Sequence, residues 1–170
     1  GGRFGGMMSF TGGTRYKNTK DAIVLEETEF FGKKFLISDE AKKPDWKLSG
    51  ETKKIGNYIC YKATLEKEVS EFSFANFARR GRRNNNNDNK EKKDEKPKTM
   101  IVTAWYTPQI PVSQGPGEFW GLPGLILEVN SGRTTVLCTE ITLNPKEKVV
   151  LKMPKKGKKV TRKEYTKIVT

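Results

Sequence analysis

The sequence predicts a mainly β protein: a single curved antiparallel sheet, built as a meander, with a long Pro/Gly-rich loop over one face. Three observations predict it. Apolar and polar side chains alternate along residues 46–52, as in a strand with one solvated face. Residues 125–129, 130–132 and 133–143 read as a strand, a tight turn and a returning strand. No segment has the periodicity of an amphipathic helix of about twelve residues or more.

The predicted strands are bounded by turn residues. In chain order they are residues 22–31, 34–38, 46–52, 58–65, 100–106, 125–129, 133–143, 149–153 and 159–169. Gly32-Lys33 and Gly56-Asn57 supply the turns of two hairpins. In residues 149–153 the apolar alternation is flanked by lysines, which is typical of an edge strand that avoids unwanted pairing.

The composition excludes most familiar catalytic and metal sites. The 170 residues contain no histidine and two cysteines. Histidine-dependent nucleophiles, histidine acid–base catalysis and histidine-ligated zinc or haem therefore lack their imidazole. Two cysteines alone cannot form a tetrahedral thiolate zinc site or an iron–sulfur cluster. We expect no enzyme, no catalytic residues, no cofactor and no metal.

Carboxylates are the remaining acid–base candidates. Glu118 and Glu128 flank the Pro/Gly-rich loop, and two carboxyl groups roughly 5–10 Å apart can cleave a glycosidic bond, although nothing in their spacing requires it. Glu26, Glu27 and Glu29 could chelate calcium weakly, but no Asp-rich loop with a central glycine accompanies them.

The net charge of +13 lies in two segments. Residues 79–98 carry nine basic and four acidic side chains, and residues 145–170 carry ten basic and two acidic ones. Because the remainder is neutral, we expect no nucleic-acid partner, and nucleic-acid binding through these segments is the least favoured function. Residues 79–98 predict a disordered insertion, with an RNA-binding arm as the alternative. For the C-terminal tail the alternative to an edge strand is attachment to anionic lipid headgroups or an acidic partner.

The predicted organisation has three parts. Residues 1–13 form a flexible Gly-rich segment, residues 14–144 a β domain interrupted by the insertion, and residues 145–170 a basic C-terminal strand or tail. The chain starts with glycine and lacks the apolar stretch of a signal peptide, so we expect a fragment of a longer precursor. It contains no run of about 18 apolar residues, so no transmembrane helix is expected.

The loop of residues 107–124, TPQIPVSQGPGEFWGLPG, combines proline and glycine with large apolar side chains. Proline fixes φ and glycine permits unusual conformations, so the loop is expected to follow an ordered, irregular path. Loops of this length are usually functional when ordered. Two alternatives follow: a plug that buries Phe119, Trp120 and Leu122 as core, or the rim of an apolar groove or docking surface.

The residues Gly121–Ile126 spell GLPGLI, and further stretches accompany that string. They are Trp46-Lys47-Leu48, residues 51–58, residues 60–64, residues 104–111 and Gly115-Pro116. In this order they resemble the GLPGLI family of Bacteroidota cell-envelope proteins, over about residues 15–143. The resemblance implies a signal peptide upstream, a periplasmic, outer-membrane-associated location and no established catalytic activity.

The resemblance also bears on fold and partners. More loosely, a β-meander leading to such a turn resembles lipoprotein-carrier (LolA-like) half-barrels, although fold alone does not give function. The expected role is an accessory subunit of an outer-membrane β-barrel complex, for example a TonB-dependent transporter or barrel-assembly complex. The alternative is a carrier for a lipid or apolar ligand, which would need a cavity under Trp120 and Leu122. The expected binding residues are Trp105, Tyr106, Pro108, Ile110, Pro111, Phe119, Trp120, Leu122, Pro123 and Leu125.

The cysteines and aromatic residues leave alternatives open. Cys60 and Cys138 both lie within predicted strands, and a disulfide would require Cα atoms within about 7 Å. Two separate thiols acting as small apolar residues are favoured. The aromatic side chains of Trp46, Trp105, Tyr106 and Trp120 are expected as core or interface anchors rather than a carbohydrate platform.

Overall fold

The computed structural model describes residues 14–68 and 99–170, and those residues form nine strands and one helix. In chain order they are β1 (Arg15–Asn18), β2 (Ile23–Phe30), β3 (Lys33–Glu40), β4 (Lys47–Ile55), β5 (Tyr58–Glu68), β6 (Thr99–Thr107), β7 (Leu125–Ser131), β8 (Thr134–Leu137), β9 (Lys158–Val160) and α1 (Arg162–Val169). The predicted flexible segment at 1–13 and the predicted insertion at 79–98 lie outside the described residues. Within the described part, no helix is long and apolar enough to cross a membrane.

The predicted mainly β, antiparallel fold is confirmed, but the strands form two sheets where the sequence predicts a single one. One sheet has the order β1-β2-β3-β9 and the other β4-β5-β6-β7-β8. Every neighbouring pair is antiparallel except β3 and β9, which are parallel. The chain divides into two compact units, Gly1–Lys43 with Thr139–Thr170, and Pro44–Cys138, so each sheet belongs to its own unit.

The four-stranded sheet is organised around the hairpin of β2 and β3. Phe30 pairs with Lys33, so the two loop residues are Phe31 and Gly32, one position before the predicted Gly32-Lys33, and both have positive φ (47° and 75°). A two-residue turn with positive φ at both positions matches the twist of the strands it joins. The core of this unit contains Phe35, Ile37 and Val160.

The C-terminal part of this unit corrects two predictions. Residues 149–153 belong to no strand, and residues 159–169, predicted as a strand, form the end of β9 followed by α1. The reason is a capping box: the Thr161 side chain accepts from the Glu164 backbone N–H, and the Glu164 carboxylate accepts from the Thr161 N–H at 2.7 Å. This local hydrogen bonding starts a helix where the apolar spacing alone suggested a strand.

The five-stranded sheet has its core on one face. Ala63, Val102, Ala104 and Val129 are completely buried, and the register places Ala63 opposite Ala104 and Ala104 opposite Val129. Paired residues share a sheet face, so these side chains form one apolar layer. Leu127 is the extra residue of an irregularity between β6 and β7.

The ends of this sheet also bear on the sequence predictions. The turn at Gly56-Asn57 is confirmed, with Ile55 paired to Tyr58 and Gly56 at φ 58°. The strand predicted over residues 133–143 is shorter than expected, because β8 ends at Leu137. One more backbone bond follows, from Cys138 to Leu127, and the chain then enters the other unit.

Candidate functional site

The Pro/Gly-rich loop connects β6 to β7 and folds back on itself. Leu125 and Ile126, the first residues of β7, donate backbone hydrogen bonds to the carbonyl oxygens of Ile110 (2.9 Å) and Gln114 (3.0 Å). The loop backbone is therefore held along the first residues of a strand, although the loop contains no regular element. This is the ordered, irregular path that proline and glycine predict.

Two glycines allow the loop to approach the sheet closely. A Cβ atom on Gly124 would lie 2.2 Å from the carbonyl oxygen of Thr107, and one on Gly115 would lie 2.7 Å from both the Ile126 Cδ1 and the Phe119 carbonyl oxygen. No side chain fits at these distances. The GLPG pattern therefore has a packing cause: its last glycine is the residue that meets the end of β6.

Three large apolar side chains of the loop, Ile110, Phe119 and Leu122, belong to the core, whereas Trp120, which the plug alternative also buries, is only half-buried. Phe119 is 1% exposed and Leu122 is 2% exposed, so both are buried as the plug alternative predicts. The Trp46 ring packs against Phe119 with centroids 5.9 Å apart, and its Nε1 donates to the Trp120 carbonyl oxygen at 2.8 Å. Trp46, which was not among the expected binding residues, thus positions the loop.

The ten expected binding residues separate into three groups. Tyr106, Ile110, Phe119 and Leu122 are buried; Trp105, Trp120 and Leu125 are half-buried; Pro108, Pro111 and Pro123 are exposed. Only the exposed and half-exposed loop residues remain available to a partner, and Val112 joins them. We call Pro108, Pro111, Val112, Trp120 and Pro123 the loop surface.

Trp105 lies on the other face of the sheet, in a polar cluster. Lys53 Nζ is 2.7 Å from Glu128 Oε2 and 4.5 Å from the centroid of the Trp105 ring. Asn130 Nδ2 donates to Glu128 Oε1 at 2.8 Å. Because Lys53 covers the ring, Trp105 is not a bare platform for a sugar. The sequence did not predict that Lys53 and Asn130 contact Glu128, because only the strand register brings these residues together.

The two candidate catalytic carboxylates each have a lysine partner. Glu128 pairs with Lys53, and Glu118 pairs with Lys67. Burial alone would raise the pKa of Glu128, but the hydrogen bonds from Lys53 and Asn130 outweigh it and hold that pKa below its usual value. A glycosidase needs a general acid with a raised pKa, so Glu128 is tuned in the opposite direction.

Of the three glutamates considered for calcium, Glu26 is paired with two arginines. Glu26 is buried, and its Oε2 accepts hydrogen bonds from Arg15 (2.7 Å) and Arg162 (2.6 Å). Burial is the largest single effect and alone would raise the pKa of Glu26, but the hydrogen bonds and positive charges of Arg15 and Arg162 together lower that pKa below its usual value. Within residues 14–68 and 99–170, no group of three or more Cys, Asp or Glu side chains is placed to hold a metal ion.

The cysteines are two separate thiols. Cys60 is buried and Cys138 half-buried, and they are not bonded to each other. Burial raises the pKa of the Cys60 thiol, which keeps the thiol protonated and poorly nucleophilic at neutral pH. This agrees with the expectation of small apolar residues rather than a disulfide.

Residues 46–128 match the model of a protein family described as "Protein of unknown function (Porph_ging)". The matched segment starts at Trp46 and ends at Glu128, so it includes the loop, the GLPGLI string and the tryptophan that binds the loop. No curated protein and no solved structure matches the chain. The five-stranded unit is therefore similar to a family of unknown function.

Proposed function

We propose that this chain is a non-enzymatic, exported cell-envelope protein of the GLPGLI type, located in the periplasm at the outer membrane. It acts as an accessory subunit of an outer-membrane β-barrel complex, for example a TonB-dependent transporter or a barrel-assembly complex. The GLPGLI string and the paired stretches before it carry the resemblance on which this proposal rests, and they lie within residues 46–128, which match a family model of unknown function.

The packing of the loop carries the proposal. Its large side chains Phe119 and Leu122 are buried, while the prolines of the loop surface point outward from a backbone fixed on β7. A rigid apolar surface loses little conformational entropy when it binds a partner. The loop is thus built as a preorganised docking surface.

The same packing weakens the alternative of a lipid carrier. A carrier requires an apolar cavity beneath Trp120 and Leu122. The close approaches at Gly115 and Gly124 leave no room for even one added carbon atom at either point. Such direct contact between loop and sheet is expected of a subunit whose loop serves as a binding surface.

A detergent pull-down from envelope fractions tests this function, with mass spectrometry for proteins and lipids. The variant is Val112→Asp, which adds a charge to the loop surface, and the matched control is Leu137→Asp, on the exposed strand β8. We expect a stoichiometric β-barrel partner with the wild type and the control, and its loss with Val112→Asp.

Two outcomes would contradict the proposal. A lone protein carrying co-purified lipid would favour the carrier. A barrel partner that binds Val112→Asp as well as the wild type would place the interface away from the loop surface.

A further inference from the structure

The C-terminal basic segment carries a row of aliphatic side chains in open solvent. Their exposed fractions are 70% for Val149, 73% for Val150, 78% for Leu151 and 47% for Met153. Three consecutive aliphatic residues with so little cover are unusual for a surface that meets only water. Contiguous exposed apolar groups generally mark an interaction site.

Lysines surround this aliphatic row. Residues 145–156 contain five lysines and one glutamate, and Lys148 and Lys152 directly flank the three aliphatic residues. Lys146, Lys148 and Lys152 are exposed. Within the described ranges 14–68 and 99–170, no ion pair joins them to a carboxylate. The segment therefore combines a concentrated positive charge with an apolar tip.

The C-terminal end of the segment is anchored by contacts with the four-stranded sheet. At its C-terminal end Pro154 is buried, and the Lys156 backbone N–H donates to the Glu27 carboxylate at 3.1 Å. Gly157, with φ 107°, lies so close to β3 that a Cβ atom there would be 2.7 Å from the Lys34 carbonyl carbon. The exposed aliphatic row thus directly precedes a stretch of chain that is fixed on the four-stranded sheet.

We propose that residues 146–153 are a membrane-docking loop that binds an anionic lipid surface. The lysines bind lipid phosphates, and Val150 and Leu151 insert at the level of the headgroups. Each lysine near an anionic bilayer adds to binding, and apolar insertion adds a contribution that salt does not screen. This inference concerns other residues and another unit than the proposed docking of the loop surface, so either can fail without the other.

The edge of a partner protein's β-sheet is a less suitable binding site for this segment than a lipid surface. Lysines on a strand are the usual device against edge-to-edge pairing. Consecutive side chains of a strand also point to opposite faces, so one partner face could not cover Val149, Val150 and Leu151 together. A lipid interface surrounds a loop tip from all sides and does cover them.

Co-sedimentation of the full chain with lipid vesicles tests the proposal. One set of vesicles is pure phosphatidylcholine, and the other contains about a third phosphatidylglycerol. Val150→Thr/Leu151→Gln removes apolar character without changing charge, and Lys148→Gln/Lys152→Gln removes two charges. The charge-matched control is Lys42→Gln/Lys43→Gln, at exposed positions of the same unit.

We expect binding to the anionic vesicles only. The partition constant should fall about tenfold in the aliphatic variant and about thirtyfold in the lysine variant, with the Lys42/Lys43 variant close to the wild type. Unchanged circular dichroism and Tm would show that all three variants remain folded.

Three results would overturn the proposal. Absence of binding to the anionic vesicles would remove it. An equal loss in the Lys42/Lys43 variant would show adhesion by net charge, and an aliphatic variant that binds like the wild type would show that nothing inserts.

Discussion

The indole Nε1 of Trp46 donates a 2.8 Å hydrogen bond to the carbonyl oxygen of Trp120, a residue 74 positions further along the chain. Trp46 stands immediately before β4, and Trp120 lies in the loop that precedes β7. The bond therefore connects the first strand of the five-stranded sheet to the Pro/Gly-rich loop. The adjacent packing of the Trp46 ring on Phe119 strengthens the same connection.

Replacing Trp46 with Phe should separate the hydrogen bond from the ring packing. The variant keeps an aromatic ring beside Phe119 but leaves the Trp120 carbonyl without its donor. We expect the free energy of unfolding to fall by about 1–2 kcal/mol in urea titrations. Trp105→Phe, which keeps a ring beneath Lys53, should lose less. Equal losses in the two variants would argue that ring volume, not the bond, is responsible.

Gly124→Ala should be strongly destabilising, because its Cβ would overlap the Thr107 backbone. Backbone atoms cannot rotate away as a side chain does, so we expect a loss of about 3 kcal/mol or more in the free energy of unfolding. Gly50→Ala is the control, since nothing lies within 4 Å of its Cβ position. Chemical denaturation measures both variants, and a wild-type midpoint for Gly124→Ala would refute the close approach.

The Glu26→Gln substitution should make the free energy of unfolding less dependent on pH in the acidic range. The folded-state pKa of Glu26 is lowered, since its arginine hydrogen bonds outweigh burial. Its stabilising contribution is then complete above the unfolded pKa of about 4.3 and disappears as pH falls through the lower folded value. We expect Glu26→Gln to lose about 2 kcal/mol at neutral pH and to decline less on acidification than the wild type.

The control for this titration is Glu29→Gln, at an exposed position of the same strand. When the free energy of unfolding is measured in urea at a series of pH values, Glu29→Gln should show the same dependence on pH as the wild type. If the free energy of unfolding of Glu26→Gln fell with pH in parallel with that of the wild type, the contacts of Glu26 with Arg15 and Arg162 would not be the cause of the loss of stability in acid.

Lys53→Met should raise the pKa of Glu128. In the wild type this pKa is lowered because the hydrogen bonds from Lys53 and Asn130 exceed the effect of burial. Methionine keeps the packing on Trp105 but removes the charge and the donor, so burial is opposed by Asn130 alone. Carboxyl ¹³C NMR titration measures the shift directly. Lys54→Met, at the next and exposed position, should leave the Glu128 titration unchanged.

The sequence was most informative where structure depends on neighbours along the chain. Alternation located β4 and β5, and Gly56-Asn57 located the turn between them. It was least informative at the C terminus, where residues 149–153 and 159–169 were predicted as strands and only β9 formed. The capping box of Thr161 and Glu164 is legible in the sequence and would have predicted the helix.

The expected binding residues also show what a local sequence pattern can and cannot predict. Composition identified the loop as ordered, but it could not say which side chains face inward. Phe119 and Trp120 are adjacent large aromatic residues in sequence, and only packing on the sheet buries the first completely and leaves the second half-exposed. The partner of each charged residue was likewise invisible, as for Lys53 and Glu128, which are 75 residues apart.

By itself, the sequence determined the mainly β class, most strand positions, the turn at Gly56-Asn57 and the absence of imidazole chemistry, because these follow from local periodicity and residue type. Tertiary structure alone decided the division into two sheets, the parallel pairing of β9 with β3 and the burial of Glu26 between Arg15 and Arg162. The physical reason is sequence separation. Glu26 and Arg162 lie 136 residues apart, and contacts over such distances depend on how whole surfaces fit together rather than on any local pattern.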